Sequence, residues 1–430
     1  MDNKHYVVAF EVGSSKIVGA VALINPNGTV EVKAVEKEYA TDCVRYGCIQ
    51  NVEDTKSRIS RIFRKLENQI AHGKIKGVYV GVNGRSLRNI VTEVNRDLNP
   101  DSSITKEIIE SIINESRSVP FTNFEILDVV PRKFIVDNSE TRNPVGTFSS
   151  HISAKLNLIV AKPLIKMNLK RVFEQTTVKG YLVTPLCVAD EILTSDEKQL
   201  GCMLIDFGAE TTSVVIYKNN YLVYAATIPL GSRNITRDIM SLNVPEEKAE
   251  DLKKAAGNIN GTSTVQNIDG VNYNDMQNHI MARVGEIIAN INEQVTYAEM
   301  KKDDIGSGIV LIGGGAKLNG FTDALEQATS LKVRRGKASV SANILDTKGT
   351  DFEFIEVIGL LTKAAAIQKP TDNCVEILEE ETPEVKPQTR EIPEDNKSKE
   401  TKEKSMIQKL KERLAGIFNE DEIEDNEDKS

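Results

Sequence analysis

Apolar positions along the chain fall in short β-type runs separated by helical stretches, and two of the runs repeat each other. Tyr6-Val7-Val8-Ala9-Phe10 leads to Glu11, a small-residue turn at Gly13, and a second run ending near Ile24. Cys202 to Tyr217 has the same texture: an apolar run ending in Asp206, then Phe207-Gly208, small or hydroxylated positions, and a second run. A repeat of this kind predicts two related halves, each built on a hairpin. A third apolar run, Ile309 to Ile312, enters Gly313-Gly314-Gly315 and then a helix-like stretch from Gly320 to Thr329.

Between these landmarks the texture is α/β. The spacing of Ile59, Ile62, Phe63, Leu66 and Ile70 predicts a helix over 55–72. A second helix is predicted over 105–118, with Thr105 as N-cap and Ile108, Ile109, Ile112 and Ile113 as its apolar face. Strands are expected over 78–95, 125–136 and 151–160. The pattern divides the chain into a first lobe (1–82 and 163–198) interrupted by an inserted subdomain (83–162). A second lobe (199–235 and 307–370) is interrupted by a further insertion (236–306) that closes with a long helix near 277–301. After Pro370 apolar anchors thin out, and Pro383, Pro387 and Pro393 stand among charged and polar residues. Residues 371–405 therefore predict a flexible linker. An amphipathic helix over 406–418 and an acidic stretch over 419–430 follow.

Composition changes this picture only through the distribution of charge. Of 63 acidic and 54 basic residues, 19 and 10 fall within 371–430, so that region carries the whole net charge of −9. A neutral body offers no basic face, and no nucleic-acid partner is expected. The five cysteines (Cys43, Cys48, Cys187, Cys202, Cys374) form no metal-ligand pair and are expected as reduced thiols. The N-terminal residues do not resemble a signal peptide, and no apolar run reaches the ~18–20 residues that span a bilayer. Membrane contact, if made, is expected to be peripheral.

The repeated turns carry the chemistry. Glycine lets the backbone approach a polyphosphate, so turn N–H groups and hydroxyls donate to its oxygens. Gly13, Ser14, Ser15 and Lys16 form one jaw on this reading, and Gly208, Thr211 and Thr212 the other. Glu11 and Asp206, just before the turns, are placed to hold Mg²⁺ through water. Gly313, Gly314 and Gly315 would leave bare backbone against an adenine and ribose. A single Gly-rich turn is more often structural, but three in this order, two of them repeated, point to a nucleotide.

These segments resemble the actin, hexokinase and heat-shock-chaperone superfamily, and within it the FtsA family of bacterial cell-division proteins. The narrower resemblance rests on FEVGSSKI, on Asn143-Pro144-Val145-Gly146 before HISAKLNLIV, on Pro185-Leu186, and on GIVLIGGGAKLNGF. It covers roughly 5–370, and the first-lobe insertion is a feature of that family. It implies an actin-like, two-lobed α/β fold with a small α+β subdomain inserted in the first lobe and a C-terminal amphipathic helix. It also implies ATP with Mg²⁺ as ligand and extends the nucleotide contacts to Glu250 and Lys253, whose alternative reading is an exposed i,i+3 ion pair. The usual second turn, Asp-x-Gly-Gly-Gly-Thr, reads Asp206-Phe207-Gly208-Ala209-Glu210-Thr211 here. Glu210 is expected to put a carboxylate near the phosphates, and Ser213 stands where an Asp is common. The expected outcome is nucleotide that is bound but hydrolysed slowly or not at all, at most a weak ATPase.

In 406–418, Met406, Ile407, Leu410, Leu414, Ile417 and Phe418 share one helical face, flanked by Lys409, Arg413 and Lys411. Basic residues beside an apolar stripe suit an anionic lipid surface, although such a helix also suits a protein partner. The resemblance favours lipid, and it places the protein at the cytoplasmic face of the membrane at the division site. Seven acids between Glu420 and Asp428 oppose tight binding. The family also implies self-assembly into head-to-tail filaments and binding of the C-terminal tail of FtsZ by the second-lobe insertion. Its helix motif there matches Ala282-Arg283-Val284-Gly285-Glu286-Ile287, with Arg283 and Glu286 as contacts. Gly285 is expected to mark close approach of another backbone. The competing readings are a small-molecule kinase, for which the sequence shows no evident cleft base, and another actin-like scaffold such as a pilus-assembly homologue.

Overall fold

The computed structural model describes residues 4–70, 73–99, 102–259, 266–338, 353–369 and 371–377. The described residues fall within one compact unit, Met1–Glu379, and residues 380–430 lie outside them.

The two predicted hairpins are the centres of two sheets. In the first lobe, His5–Val12 pairs antiparallel with Lys16–Ile24, which pairs with Val30–Tyr39. On the other side His5–Val12 runs parallel to Gly77–Val82, which runs parallel to Thr177–Val183. Every residue of Gly77–Val82 is buried, as a central parallel strand covered on both faces requires. The helices Val52–Gln69 and Ile355–Ile367 cover this sheet. In the second lobe, Cys202–Phe207 pairs antiparallel with Thr212–Lys218 and parallel with Ile309–Ile312, and Tyr221–Ile228 and Val333–Arg335 extend the sheet.

The first insertion is α+β. Strands Arg88–Asp97, Glu125–Val136 and His151–Ala161 form a sheet covered by helix Lys106–Arg117, with a core of its own around Ile104, Ile112, Phe134 and Leu156. Thr105 caps that helix, its hydroxyl accepting from the Ile108 N–H at 3.4 Å. The sheet touches the second lobe through a bridge between Arg88 and Ala226. Two asparagines secure the junction: Asn157 donates to Leu222 O at 2.7 Å, and the Asn89 carbonyl accepts from the Ala225 N–H at 3.1 Å.

The linker expected from residue 371 begins later. Val375–Ile377 pairs with Gly73–Ile75, Cys374 is buried, and the Asn373 carbonyl accepts from the Tyr6 N–H at 2.9 Å. The stretch is polar in composition, but its backbone is satisfied by the first lobe's edge. All five cysteines are free thiols. Among the described residues no helix is long and apolar enough to cross a membrane.

Candidate functional site

The two repeated turns are the same backbone device. Gly13 N–H donates to Lys16 O at 3.0 Å, and Gly208 N–H donates to Thr211 O at 2.9 Å. Strand pairing resumes with Val12 opposite Ile17 in one half and Phe207 opposite Thr212 in the other. Both turns line a cleft of about 620 Å³, with Gly13, Ser14, Ser15 and Lys16 on one side and Gly208 and Thr211 on the other. The Ser14 hydroxyl is fixed by the Gly47 N–H at 2.8 Å. Lys16 donates to Glu353 O and lies 5.6 Å from the centre of the Phe354 ring, so the first lobe holds it at the cleft.

Three carboxylates share this cleft. Glu11 and Asp206 end the strands before the two turns, and Glu356 projects from the first turn of Ile355–Ile367. Burial raises Glu11 to about 8, helped by Glu356 and Asp206 and opposed by Lys16. Burial and Glu356 likewise raise Asp206 to about 8 against Lys16. Glu356 is raised by burial. Asp206 Oδ1 is buried without a hydrogen-bond partner. An orphaned oxygen among three acids fits a cation's bound water. Among the described residues no three acidic, His or Cys side chains lie close enough to ligate a metal directly. The donor set therefore suits Mg²⁺ held through its waters by Glu11, Asp206 and Glu356, where it would offset phosphate charge.

Glu250 and Lys253, on helix Glu246–Ala256, form part of the cleft wall and are not an exposed pair. The Lys253 side chain is 8% exposed, and its ammonium donates to Glu250 at 2.6 Å, Thr236 Oγ1 at 2.9 Å and Ser232 O at 3.2 Å. Burial lowers its pKa against the pull of Glu250. For Glu250 burial opposes ionisation, but Lys253 and the Thr236 hydroxyl prevail and lower it. The three glycines at 313–315 have three different reasons. Gly313 has φ +91°, a β-carbon there would meet the Phe207 carbonyl at 2.4 Å and Asp206 Oδ1 at 2.6 Å, and the residue is not part of the cleft lining. At Gly315 a β-carbon would meet the Phe207 ring at 2.6 Å. Only Gly314 has open space, and it lines the cleft.

Three expectations are corrected. Thr212 does not reach the cleft: it is fully buried and donates to Leu230 O at 2.7 Å, because strand alternation turns it inward. Gly313 is a turn residue, as above. Glu210 does not face the phosphates either. Its side chain is fully buried outside the cleft lining, paired with Arg237, with Arg233 and Arg45 at 3.5 Å, and with the Tyr46 N–H at 2.8 Å. Ser213 is also buried, bonded to Asn83 and Thr227.

Sequence reasoning missed Glu356 and Arg233. Glu356 is a lone acid in Ile355-Glu356-Val357-Ile358, which was the available signal. Arg233 had none, since its partners lie far away in sequence.

In the second-lobe insertion, Arg283 on helix Tyr273–Tyr297 makes a two-pronged pair with Asp238 (2.6 and 3.0 Å) and a further bond to Glu286. Gly285 touches no other backbone. It lines a shallow apolar groove of about 300 Å³, with Met281, Val284, Ile288 and Ala324, on another face of the helix. The residues of the expected tail helix, Met406 to Phe418, lie outside the described residues.

The family described as "Cell division protein FtsA" matches residues 203–359, and "SHS2 domain inserted in FTSA" matches 84–160, the first-lobe insertion. The cell division protein FtsA of Porphyromonas gingivalis is 32% identical over 382 residues, covering 84% of this chain and 78% of that protein. The FtsA of Pseudomonas aeruginosa is 26% identical, covering 77% and 82%. Among solved structures, the "PilM-PilN type IV pilus biogenesis complex" superposes with a TM-score of 0.62 at 16% identity, covering 84% of this chain and 99% of that one. That likeness concerns the fold, which is actin-like. With two lobes, the SHS2 insertion and 32% identity to a relative matched over 78% of its length, the chain belongs to the FtsA family of cell-division proteins.

Proposed function

We propose that the protein is a nucleotide-loaded adaptor that assembles into filaments and holds FtsZ to the cytoplasmic face of the membrane at the division site. The observation that carries the nucleotide part of this reading is the pair of turns of one backbone form facing one cleft, with acids suited to hydrated Mg²⁺ beneath them and a buried Glu250–Lys253 pair in its wall. ATP is the ligand this arrangement suits, acting as an assembly switch. The second-lobe insertion would take the FtsZ C-terminal tail at Arg283 and Glu286, where a guanidinium braced by Asp238 keeps a fixed orientation toward a carboxylate. Met406, Ile407, Leu410, Leu414, Ile417 and Phe418, with their flanking Lys409, Lys411 and Arg413, would supply the lipid contact. Each base near an anionic leaflet contributes about 1 kcal/mol.

One sedimentation assay tests the membrane and FtsZ parts of this reading. Full-length protein with Mg-ATP should carry a labelled FtsZ C-terminal peptide onto anionic vesicles. Deleting 405–430 should leave peptide and protein together in the supernatant. Arg283→Glu should leave the protein on vesicles and the peptide behind, with Arg283→Lys as a folding control. Peptide that follows Arg283→Glu unchanged, or protein that pellets without 405–430, would overturn the corresponding part.

A further inference from the structure

We propose that Arg233 reads the terminal phosphate of the nucleotide, a role that rests on the nucleotide reading above and goes beyond its turns. Arg233 opens helix Ser232–Met240, and its backbone N–H donates to Ala209 O of the second turn at 2.7 Å. Its guanidinium reaches across to the first turn, with Nη1 3.4 Å from Ser14 O. One side chain thus spans both jaws, lines the cleft, and is only 13% exposed.

Its contacts are all long. Beyond Ser14 O, the guanidinium lies 3.5 Å from Glu210, 3.3 Å from Thr41 Oγ1 and 3.4 Å from Glu246. Charge-assisted bonds settle at about 2.7–2.9 Å when geometry allows. Glu210 does not neutralise Arg233, because its tight partners are Arg237 and the Tyr46 N–H. The cluster holds three guanidinium groups (Arg45, Arg233, Arg237) against two carboxylates (Glu210, Glu246), an excess of one positive charge. A mostly buried cation with a charge to spare and no short bond, set between two phosphate turns, is prepared for an anion. The last phosphate carries the most charge, and a planar guanidinium matches its oxygens. Glu210 is a positioning residue here: it anchors the cluster while leaving Arg233 free to pair.

Affinities of the full-length protein for Mg-ATP and Mg-ADP, measured by calorimetry, decide it. Arg233→Gln should weaken ATP by about tenfold or more while changing ADP by less than about threefold. Arg233→Lys keeps the charge and should hold ADP unchanged, with an ATP loss smaller than that of Gln. Melting curves confirm that both variants fold. Equal weakening of ATP and ADP, or no change in either, overturns the role. If the unmutated protein binds neither nucleotide, the nucleotide reading itself falls and takes this inference with it.

Discussion

The two turns share a backbone and differ in what their side chains are for. Gly13–Lys16 and Gly208–Thr211 close with the same Gly N–H to carbonyl bond, and each follows a strand ending in a cleft-facing acid. In the first turn the two central residues are Ser14 and Ser15, the latter exposed. In the second they are Ala209 and a fully buried Glu210. The first turn therefore offers hydroxyls to the cleft. The second uses its central side chain to bind the opposite lobe, through Arg45 and the Tyr46 N–H. One motif has been divided between ligand and architecture.

The largest test of that division compares Glu210→Gln with Ser15→Ala, the corresponding position. Removing a buried carboxylate from among arginines should cost about 3–5 kcal/mol in denaturant unfolding. An exposed serine should cost less than about 0.5 kcal/mol. Similar losses at the two sites would erase the distinction. Next in size is pH. Glu11 and Asp206 are both raised to about 8. Folded protein therefore retains protons that the unfolded chain gives up near pH 4. Stability without divalent cations should fall as pH rises from about 4 to about 8, by roughly 2 kcal/mol after allowing for solvent in the cleft. Asp206→Asn should flatten that slope, whereas stability that climbs over this range would contradict it. Adding Mg²⁺ with nucleotide should restore much of the loss.

Smaller effects test the backing and the backbone. A β-carbon at Gly231 would overlap the Ala209 carbonyl, so Gly231→Ala should cost about 1–3 kcal/mol and disturb the second turn alone. At Gly13 a β-carbon would stand 3.0 Å from Glu11 Oε1, and at Gly208 3.0 Å from Thr211 O. Both Gly→Ala variants should lose about 1 kcal/mol, within about 0.5 kcal/mol of each other. A wide gap between them would show that the turns are not equivalent.

Local pattern made much of this legible. The hairpins, the insertions and Thr105 as a cap follow from alternation, 3.6-residue spacing and capping chemistry within a few residues of chain. The repeat even contained a warning about Thr212: it pairs with Phe207 as Ile17 pairs with Val12, and Ile17 is plainly a core position. Glu210 was misplaced because its meaning depends on Tyr46, 164 residues away, and Arg237, 27 away. No local rule encodes such partners. The polar stretch after Pro370 read as linker for the converse reason: its partners are backbone groups of the opposite end of the chain.

That last pairing has a consequence for how the protein is made. Helix Ile355–Ile367 packs on strand His5–Val12, Gln368 donates to Tyr6 O at 2.9 Å, and Asn373 accepts from the Tyr6 N–H. The hairpin of His5–Val12 and Lys16–Ile24 can form early, but the helix that covers it comes only with Ile355–Ile367. The second lobe's hairpin, by contrast, gains its parallel neighbour Ile309–Ile312 after a much shorter stretch of chain. Contacts so distant in sequence form late. The first lobe is thus completed by the last of the described elements, after the second lobe's sheet already has all its strands.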